Sequence, residues 1–554
     1  MSNQSKKQNT MFGGVAILAV GIAIVKLIGA LFKIPLFNVL GETGAADFNN
    51  AYNIYAVLLT ISTAGLPVAL SKTVAEANTL GRGNQKQAVF RVAMTAFLAM
   101  GIASFLVMWL GADWLAAEVL NNSHAAPGIR ALAPAVVCVG CLSAFRGYAQ
   151  GHMNMTPTSI SQIIEALCKL FLGLGFAMFI MNAGLAGIPE EERTSYAAAG
   201  AITGVTVGTV LAVVYMAANY MRGRRGEPRV GTDRAEGAGT IFRRLMYIAL
   251  PITLSTSLVP IINVVDTALV QGQLQGALGM TEQASRALYG NYTVAVSLHN
   301  LPGSFMTAIT AAIIPAVSAS LAKKDLVGSA RITGSVLRVT ALLALPMGVG
   351  LLALAQPIMK LLYPNYDAAL TGPMLAVLGP AAVCVCLVLV CNAVFQANGH
   401  VLLPIGTTLL GGVVKIAVNY VLVSVPEINI YGAPMGTLAC YVTVLLLDLI
   451  LLRRLVPGIG GYLGVFGKPV LASAVMGGGA WAAYGLLARA FGALGLFQTQ
   501  GQMLSRSGNA IATFGAIGLA VVIYFVLVLL TRAVSRDDVL LMPKGEKIAK
   551  LLRF

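Results

Sequence analysis

Seven charged side chains and one histidine stand inside long apolar runs of this sequence: Lys26, Lys33, Arg146, Glu165, Lys169, Asp266, His299 and Lys415. An ionisable group at the centre of a bilayer costs ~2.5–3.5 kcal/mol on insertion scales, so it ordinarily faces a partner or a water-filled cavity. Five of the eight are basic and two acidic. Basic groups gathered where water is scarce hold phosphate oxygens by charge-assisted hydrogen bonds. The set therefore points to a cationic cavity and an anionic ligand, a diphosphate above all. A neutral sugar has no need of such a cavity, and a cationic drug is repelled by it. Each residue also has a plainer role open to it. Lys33, Arg146 and Lys169 can lie near helix ends and snorkel to the headgroups. Glu165 and Lys169 are four residues apart on one helix and can neutralise each other. Arg146 and Lys169 are the expected headgroup contacts, with Glu165 tuning Lys169. Asp266, within "NVVDTALV", is either a hydrogen-bonded packing residue or a carboxylate that takes Na⁺ or H⁺ for coupling; it is the one candidate metal (sodium) ligand.

The elements that must hold these groups are helices. The chain of 554 residues is 57% hydrophobic and 10% charged, with mean hydropathy +0.80, whereas a soluble chain carries about 25% charged residues. Apolar runs of membrane-crossing length predict fourteen helices, near 11–33, 52–74, 89–112, 130–152, 156–182, 195–220, 243–270, 287–322, 329–355, 371–399, 401–425, 431–455, 468–492 and 508–532. The eighth is long for one span and is expected to extend beyond the membrane or to bend near Pro302 or Pro315. With the N-terminus inside, 26 of the 37 Lys and Arg fall on inside segments and helix ends and six outside. Cytoplasmic loops collect such residues, so both termini of a multi-pass membrane protein are expected in the cytoplasm. The net charge of +16 is thereby read as orientation, not as nucleic-acid binding. The tail "KGEKIAKLLRF" is expected on the inner leaflet.

The chain repeats itself. "AQGHMNMTPTSISQIIEALCKL", from Ala149, is echoed by "FQANGHVLLPIGTTLLGGVVKI", from Phe395, which matches His152 with His400, Pro157 with Pro404 and Lys169 with Lys415. "PVALSKTVAEANTLGRGNQKQAVFRV", from Pro67, is echoed by "PAVSASLAKKDLVGSARITGSVLRV", from Pro315. The echoes are six helices apart, an even number, so the copies face the same way. The expected fold is all-α: two parallel six-helix lobes around a central cavity, plus two extra C-terminal helices. The N-lobe (helices 1–6) takes 1–221, a basic cytoplasmic linker 222–242, the C-lobe (helices 7–12) 243–456, helices 13 and 14 fall in 457–535, and a basic tail fills 536–554. Such chains bind substrate between repeats and alternate access by rocking. Gln150, His152, Gln396 and His400 fall near cytoplasmic turns and are expected as turn residues. Cys138 and Cys141 form a CxxC, but no second pair stands at zinc spacing, so all seven cysteines are expected as small packing residues.

The stretches "FKIPL" (from Phe32), "STAGLPVALSK" (from Ser62), "RGYAQGHMNMTPTSISQIIE" (from Arg146) and "LLYPNYDAA" (from Leu361) resemble the polysaccharide-exporter branch of the MOP superfamily. Within it they are most similar to the MurJ/SpoVB group of bacterial lipid-linked oligosaccharide flippases. The resemblance spans nearly the whole chain. It implies transport of an undecaprenyl-diphosphate-linked cell-wall precursor, lipid II, from inner to outer leaflet. It also implies that Lys26 and Lys33 line the cavity and contact the diphosphate, that Asp47 follows as an acidic site residue, and that helices 13 and 14 form a groove for the lipid tail. The sodium site of some members lies on helices 7 and 11, where this chain offers Asp266 and Asn419. MurJ-like proteins often have Arg where this chain has Lys26 and Lys33. Their basic residue on helix 8 is absent here, with Ser297 and His299 near its place, and an arginine on helix 2 is absent too.

No Walker loop, HExxH or catalytic acidic cluster is present, so an enzyme is not expected. Nor is a cofactor beyond Na⁺ or H⁺ coupling, or a nucleic-acid partner. The expected partners are the lipid-linked oligosaccharide and membrane lipids, with the chain a monomer beside cell-wall synthesis machinery. The competing readings are a cation-coupled multidrug exporter of the same superfamily, a flippase for another lipid-linked polysaccharide unit, and a non-transporting envelope scaffold. The first calls for an acidic cavity and the last for no charge at membrane depth.

Overall fold

The computed structural model describes residues 2–183, 189–225, 233–322, 325–400, 402–494 and 504–534. Among these residues the chain is helical almost throughout, and twelve helices are long and apolar enough to cross a membrane. The first of the twelve, Ile24–Thr79, is 56 residues long, more than one crossing needs at 1.5 Å per residue. The basic tail 536–554 and linker residues 226–232 lie outside the described residues.

Two compact units divide the chain, Met1–Gly290 and Asn291–Phe554. In the first, α1 covers Ser2–Thr63, α2 Gly65–Thr79, α3 Gly83–Leu110, α4 Ala112–Trp114, α5 Ala126–Gly151, α6 Thr156–Cys168, α7 Leu174–Ala183, α8 Glu190–Arg225 and α9 Ala238–Gly276. The next helix, α10, runs through Glu282–Ala322 and begins in this unit. The second unit continues with α11 Leu326–Ala353, α12 Ala355–Leu362, α13 Ala368–Ala397, α14 Leu403–Val423, α15 Gly432–Leu455, α16 Tyr462–Ala493 and α17 Arg506–Leu530. α9, expected with the second half, packs against α1, α2 and α3. α10 is one unbroken helix of 41 residues.

The stretch after residue 33, expected as an outside loop, is helical as well. α1 continues through it with one break, at Gly41 (φ 67°, ψ −172°), a conformation open to glycine and costly for other residues. Beyond the break the helix buries Phe48 and, before it, Phe37 and Leu40, so this connection has an apolar face of its own to pack. The repeat echoes mark real turns. Between α5 and α6, Met153 takes φ 60° and the His152 ring sits 2.9 Å from Tyr148 O. Between α13 and α14, Gly399 takes φ 82° and the His400 amide donates to Phe395 O.

The second echo differs at its helix start. α11 is capped by its own Asp325, which accepts from the Gly328 amide at 2.7 Å. α3 has Arg82 there, without an acceptor, and borrows one. Asp233, from the linker, accepts from the Asn84 and Gln85 amides at 2.9 and 2.8 Å, while the Gln85 side chain accepts from the Glu236 amide at 2.7 Å. A helix start leaves its first amides without partners, so the linker is drawn to it. The Asn84 amide, with that of Gln85 and the Arg82 charge, holds the Asp233 carboxyl below the ordinary Asp range. A depressed carboxyl stabilises above its unfolded value and loses that contribution as pH falls through the folded one. Amide exchange at Asn84 and Gln85, corrected for intrinsic rates, is expected to stay slow at neutral pH and to rise only below the usual Asp range. In Asp233→Asn the rise is expected already at neutral pH.

Close helix contacts rest on glycine. A Cβ on Gly204 of α8 would stand 2.2 Å from Gly173 N, where only backbone faces it. Gly204→Ala is therefore expected to cost about 1–3 kcal/mol, read as a lower unfolding temperature in detergent, with the strain falling on the segment that carries Lys169.

Candidate functional site

Helices α1, α5, α6 and α8 of the first unit enclose a cavity of about 400 Å³. Lys26, Tyr52 and Tyr55 line it from α1, Arg146 from α5, Gln162 and Glu165 from α6, and Thr209 from α8. Lys169 joins them from the π-helical segment Lys169–Gly173 between α6 and α7. Such bulges inside α-helices recur at functional sites. Gly173 nests this one against α8 and the Phe32 ring, where an added Cβ would meet Ala201 O at 2.8 Å.

Two kinds of partner fix the charges. Arg146 gives its Nε to Ser161 Oγ at 2.9 Å and an Nη to Glu165 Oε2 at 2.5 Å. Lys169 donates to the Tyr52 hydroxyl at 3.1 Å and lies 4.7 and 5.0 Å from the centroids of the Tyr52 and Phe32 rings, a cation–π arrangement. Lys33 is half-buried, with Lys26 and Lys169 as the charges acting on it. Three basic groups, Lys26, Arg146 and Lys169, thus line the cavity with one carboxylate, and Lys33, expected on its wall, is not among the lining residues. Glu165 neutralises Arg146, so Lys26 and Lys169 carry the excess, with Lys33 as a neighbouring charge. The pairing of Glu165 with Lys169, which their spacing permits, does not form. The α5–α6 hairpin sets Arg146 against Glu165, and the guanidinium's fixed fork of donors suits a carboxylate, while the aromatic rings take the lysine.

Other expected site residues stand elsewhere. Asp47, expected on the substrate, is 2% exposed. Its oxygens accept from Arg286 at 3.1 and 2.6 Å and from Asn122 at 2.9 Å. With its lone pairs so engaged, it is a tie between α1, the 121–125 segment and α10, not a headgroup contact in this packing. His299 and Lys415 belong to the second unit and are both buried there. The His299 ring is 2.9 Å from Leu378 O, with Lys415 as a neighbouring charge. Asp266 is buried on α9 of the first unit and Asn419 on α14 of the second. Among the described residues no three His, Cys, Asp or Glu gather as metal ligands do.

Several functional side chains carry no signal in the sequence. Tyr52, Tyr55, Gln162 and Thr209 look like ordinary interior residues until the fold turns them to the cavity. Arg286 counted only as one of six outside cations. The tie it makes is part of a wider polar seam: Asn50 to Gln271 at 3.3 Å, Asn53 to Thr267 at 2.8 Å, and Glu282 to the Ser123 amide at 2.8 Å.

The family-model matches and the similar proteins place this many-helix bundle in the MOP superfamily of transporters. A family model described as polysaccharide biosynthesis protein matches residues 12–321, and a MatE model matches residues 289–421. The first match takes in more than half of the chain, and the chain belongs to the polysaccharide biosynthesis protein family. It is similar to the lipid II flippase MurJ of Bacillus subtilis (strain 168), 26% identical over 461 residues that make up 80% of this chain and 82% of that one. It is also similar to stage V sporulation protein B of the same organism, 24% identical over 454 residues, 81% of this chain and 85% of that one. Among solved structures it resembles lipid II flippase MurJ in an inward closed conformation, with TM-score 0.65 over 93% of this chain and 98% of that one. At 13% identity that likeness is one of fold.

Removing one partner of a buried ion pair leaves the other charge uncompensated. Asp47→Ala and Arg286→Ala are each expected to cost about 3–5 kcal/mol. The double variant is expected to cost clearly less than their sum, as thermal unfolding of all three variants will read.

Proposed function

We propose that this protein is a flippase for an undecaprenyl-diphosphate-linked cell-wall precursor, of the lipid II class, moving it from the inner to the outer leaflet by alternating access. The observation that supports this reading is the charge of the cavity: Lys26 and Lys169 remain in excess on its wall, with Lys33 as a neighbouring charge, after Arg146 and Glu165 have paired. A diphosphate answers that excess. The bulky headgroup enters the cavity while the polyprenyl tail stays in lipid. With both termini in the cytoplasm and the inside negative, the membrane potential pushes an anionic headgroup outward, ~2.3 kcal/mol for each charge moved through 100 mV. Coupling to Na⁺ or H⁺, and work as a monomer beside the cell-wall synthesis machinery, complete the proposal. The MatE match over residues 289–421 favours a second reading, a multidrug exporter, but a cationic drug would meet Lys26 and Lys169.

The test is export of lipid II headgroup to the outer leaflet in cells depleted of their own flippase. Lys26→Ala and Lys169→Ala are each expected to slow it roughly tenfold, the worth of one charge-assisted hydrogen bond, and Lys169→Arg to retain most of it. Full export by the variant lacking all three lysines contradicts the reading, and drug resistance conferred by the wild type would favour the exporter.

A further inference from the structure

One buried acid takes part in neither the cavity nor the polar seam. Asp448, on α15 of the second unit, is 0% exposed, and among the described residues neither of its oxygens has a partner within hydrogen-bond geometry, the Thr407 hydroxyl being the polar group nearest to offering one. α15 packs against α13 and α14. From α13 the titratable group that faces it is the Cys391 thiol, itself buried. From α14 it is met by the Thr407 hydroxyl, which lies 3.3 Å from Pro404 O. The Tyr462 hydroxyl of α16 is engaged by Leu449 O at 2.5 Å. Arg453 and Arg454, in the last turn of α15, are exposed, and on α11 Arg331 is exposed and Arg338 half-buried. No Lys or Arg among the described residues forms an ion pair with Asp448.

An ionised carboxylate that is dry and unpaired costs several kcal/mol even after the surroundings relax, whereas the neutral acid costs only an imperfect hydrogen bond. We propose that Asp448 is a proton-binding site. Its carboxyl holds a proton while α13, α14 and α15 are packed as here, and releases it to water only when α15 parts from its neighbours. Rebinding the proton restores the packing. The ligand is a proton and not a sodium ion, because a metal ion needs more oxygens than one carboxyl and one hydroxyl beside a thiol supply. The packing of these three helices thus depends on the proton activity of the face to which the site opens. This holds whether or not the first-unit cavity takes a diphosphate.

Infrared difference spectroscopy on the full chain in nanodiscs tests this directly. At neutral pH the wild type is expected to show the carbonyl band of a protonated carboxylic acid that shifts only slowly on transfer to D₂O. Asp448→Asn is expected to lose that band. Because the folded state favours the proton, the wild type is also expected to lose stability relative to Asp448→Asn as pH rises above the range where an ordinary Asp ionises. Should Asp448→Asn not fold, Asp448→Ser gives the same comparison, and the slowly exchanging wild-type band stands by itself. Absence of that band, its survival in the variant, or parallel pH profiles of wild type and variant would overturn the proposal.

Discussion

Positive charge placed inside an apolar bundle has to be held by something, and the first unit is arranged around that constraint. One arginine is met by a carboxylate and a hydroxyl, Glu165 and Ser161. One lysine is met by aromatic rings and a phenol, Phe32 and Tyr52. Neither aromatic ring neutralises a charge. Cation–π contact orients an ammonium and offsets part of its desolvation, leaving the positive field in place for a ligand. A lysine suits that role, since its ammonium is a compact point charge on a flexible stem. The distinction between a charge cancelled by Glu165 and a charge merely supported by π-systems is what leaves the recess with a net positive charge.

Holding that recess requires the helices around it to stay in register. The buried Asp47–Arg286 pair and the seam beside it bind α1, α9 and the start of α10 into one body. Buried ion pairs add little net stability over apolar packing, but losing half of one is costly. They therefore favour one arrangement sharply over its near neighbours. At the other end of α3, the linker carboxylate of Asp233 does a milder version of the same work, on amides that the helix itself leaves unmet.

The helices were legible because a membrane demands long apolar runs, but the dividing line between the units was not: α9, expected to open the second half, packs with α1, α2 and α3. The Gly-His turns at Gly151 and Gly399 fall where the echo put them. What the sequence hid was partnership. Asp47 and Arg286 lie 239 residues apart, and no period connects them. Glu165 could face Lys169 by spacing alone, and only the α5–α6 hairpin decides for Arg146. The helix running on past residue 33 was hidden for another reason: an acid such as Asp47 ends an apolar run in the sequence, whereas the fold buries it against its counter-charge. The break at Gly41 shows that the connection bends by a glycine and not by leaving the helix. Asp448 went unremarked because a single acid near the end of an apolar run, just before two arginines, looks like an ordinary helix end.

The central claim is that Lys26 and Lys169 on the cavity wall, with Lys33 beside them, give the first-unit cavity its affinity for a diphosphate. Its most direct test is binding of a polyprenyl diphosphate to the purified full chain in nanodiscs, measured for the wild type and for a variant with Lys26, Lys33 and Lys169 all changed to Gln. The account predicts an affinity at least ~100-fold lower in the variant, with the wild type preferring the diphosphate over the uncharged polyprenol. Equal affinity in the two proteins, with each correctly folded, would contradict it.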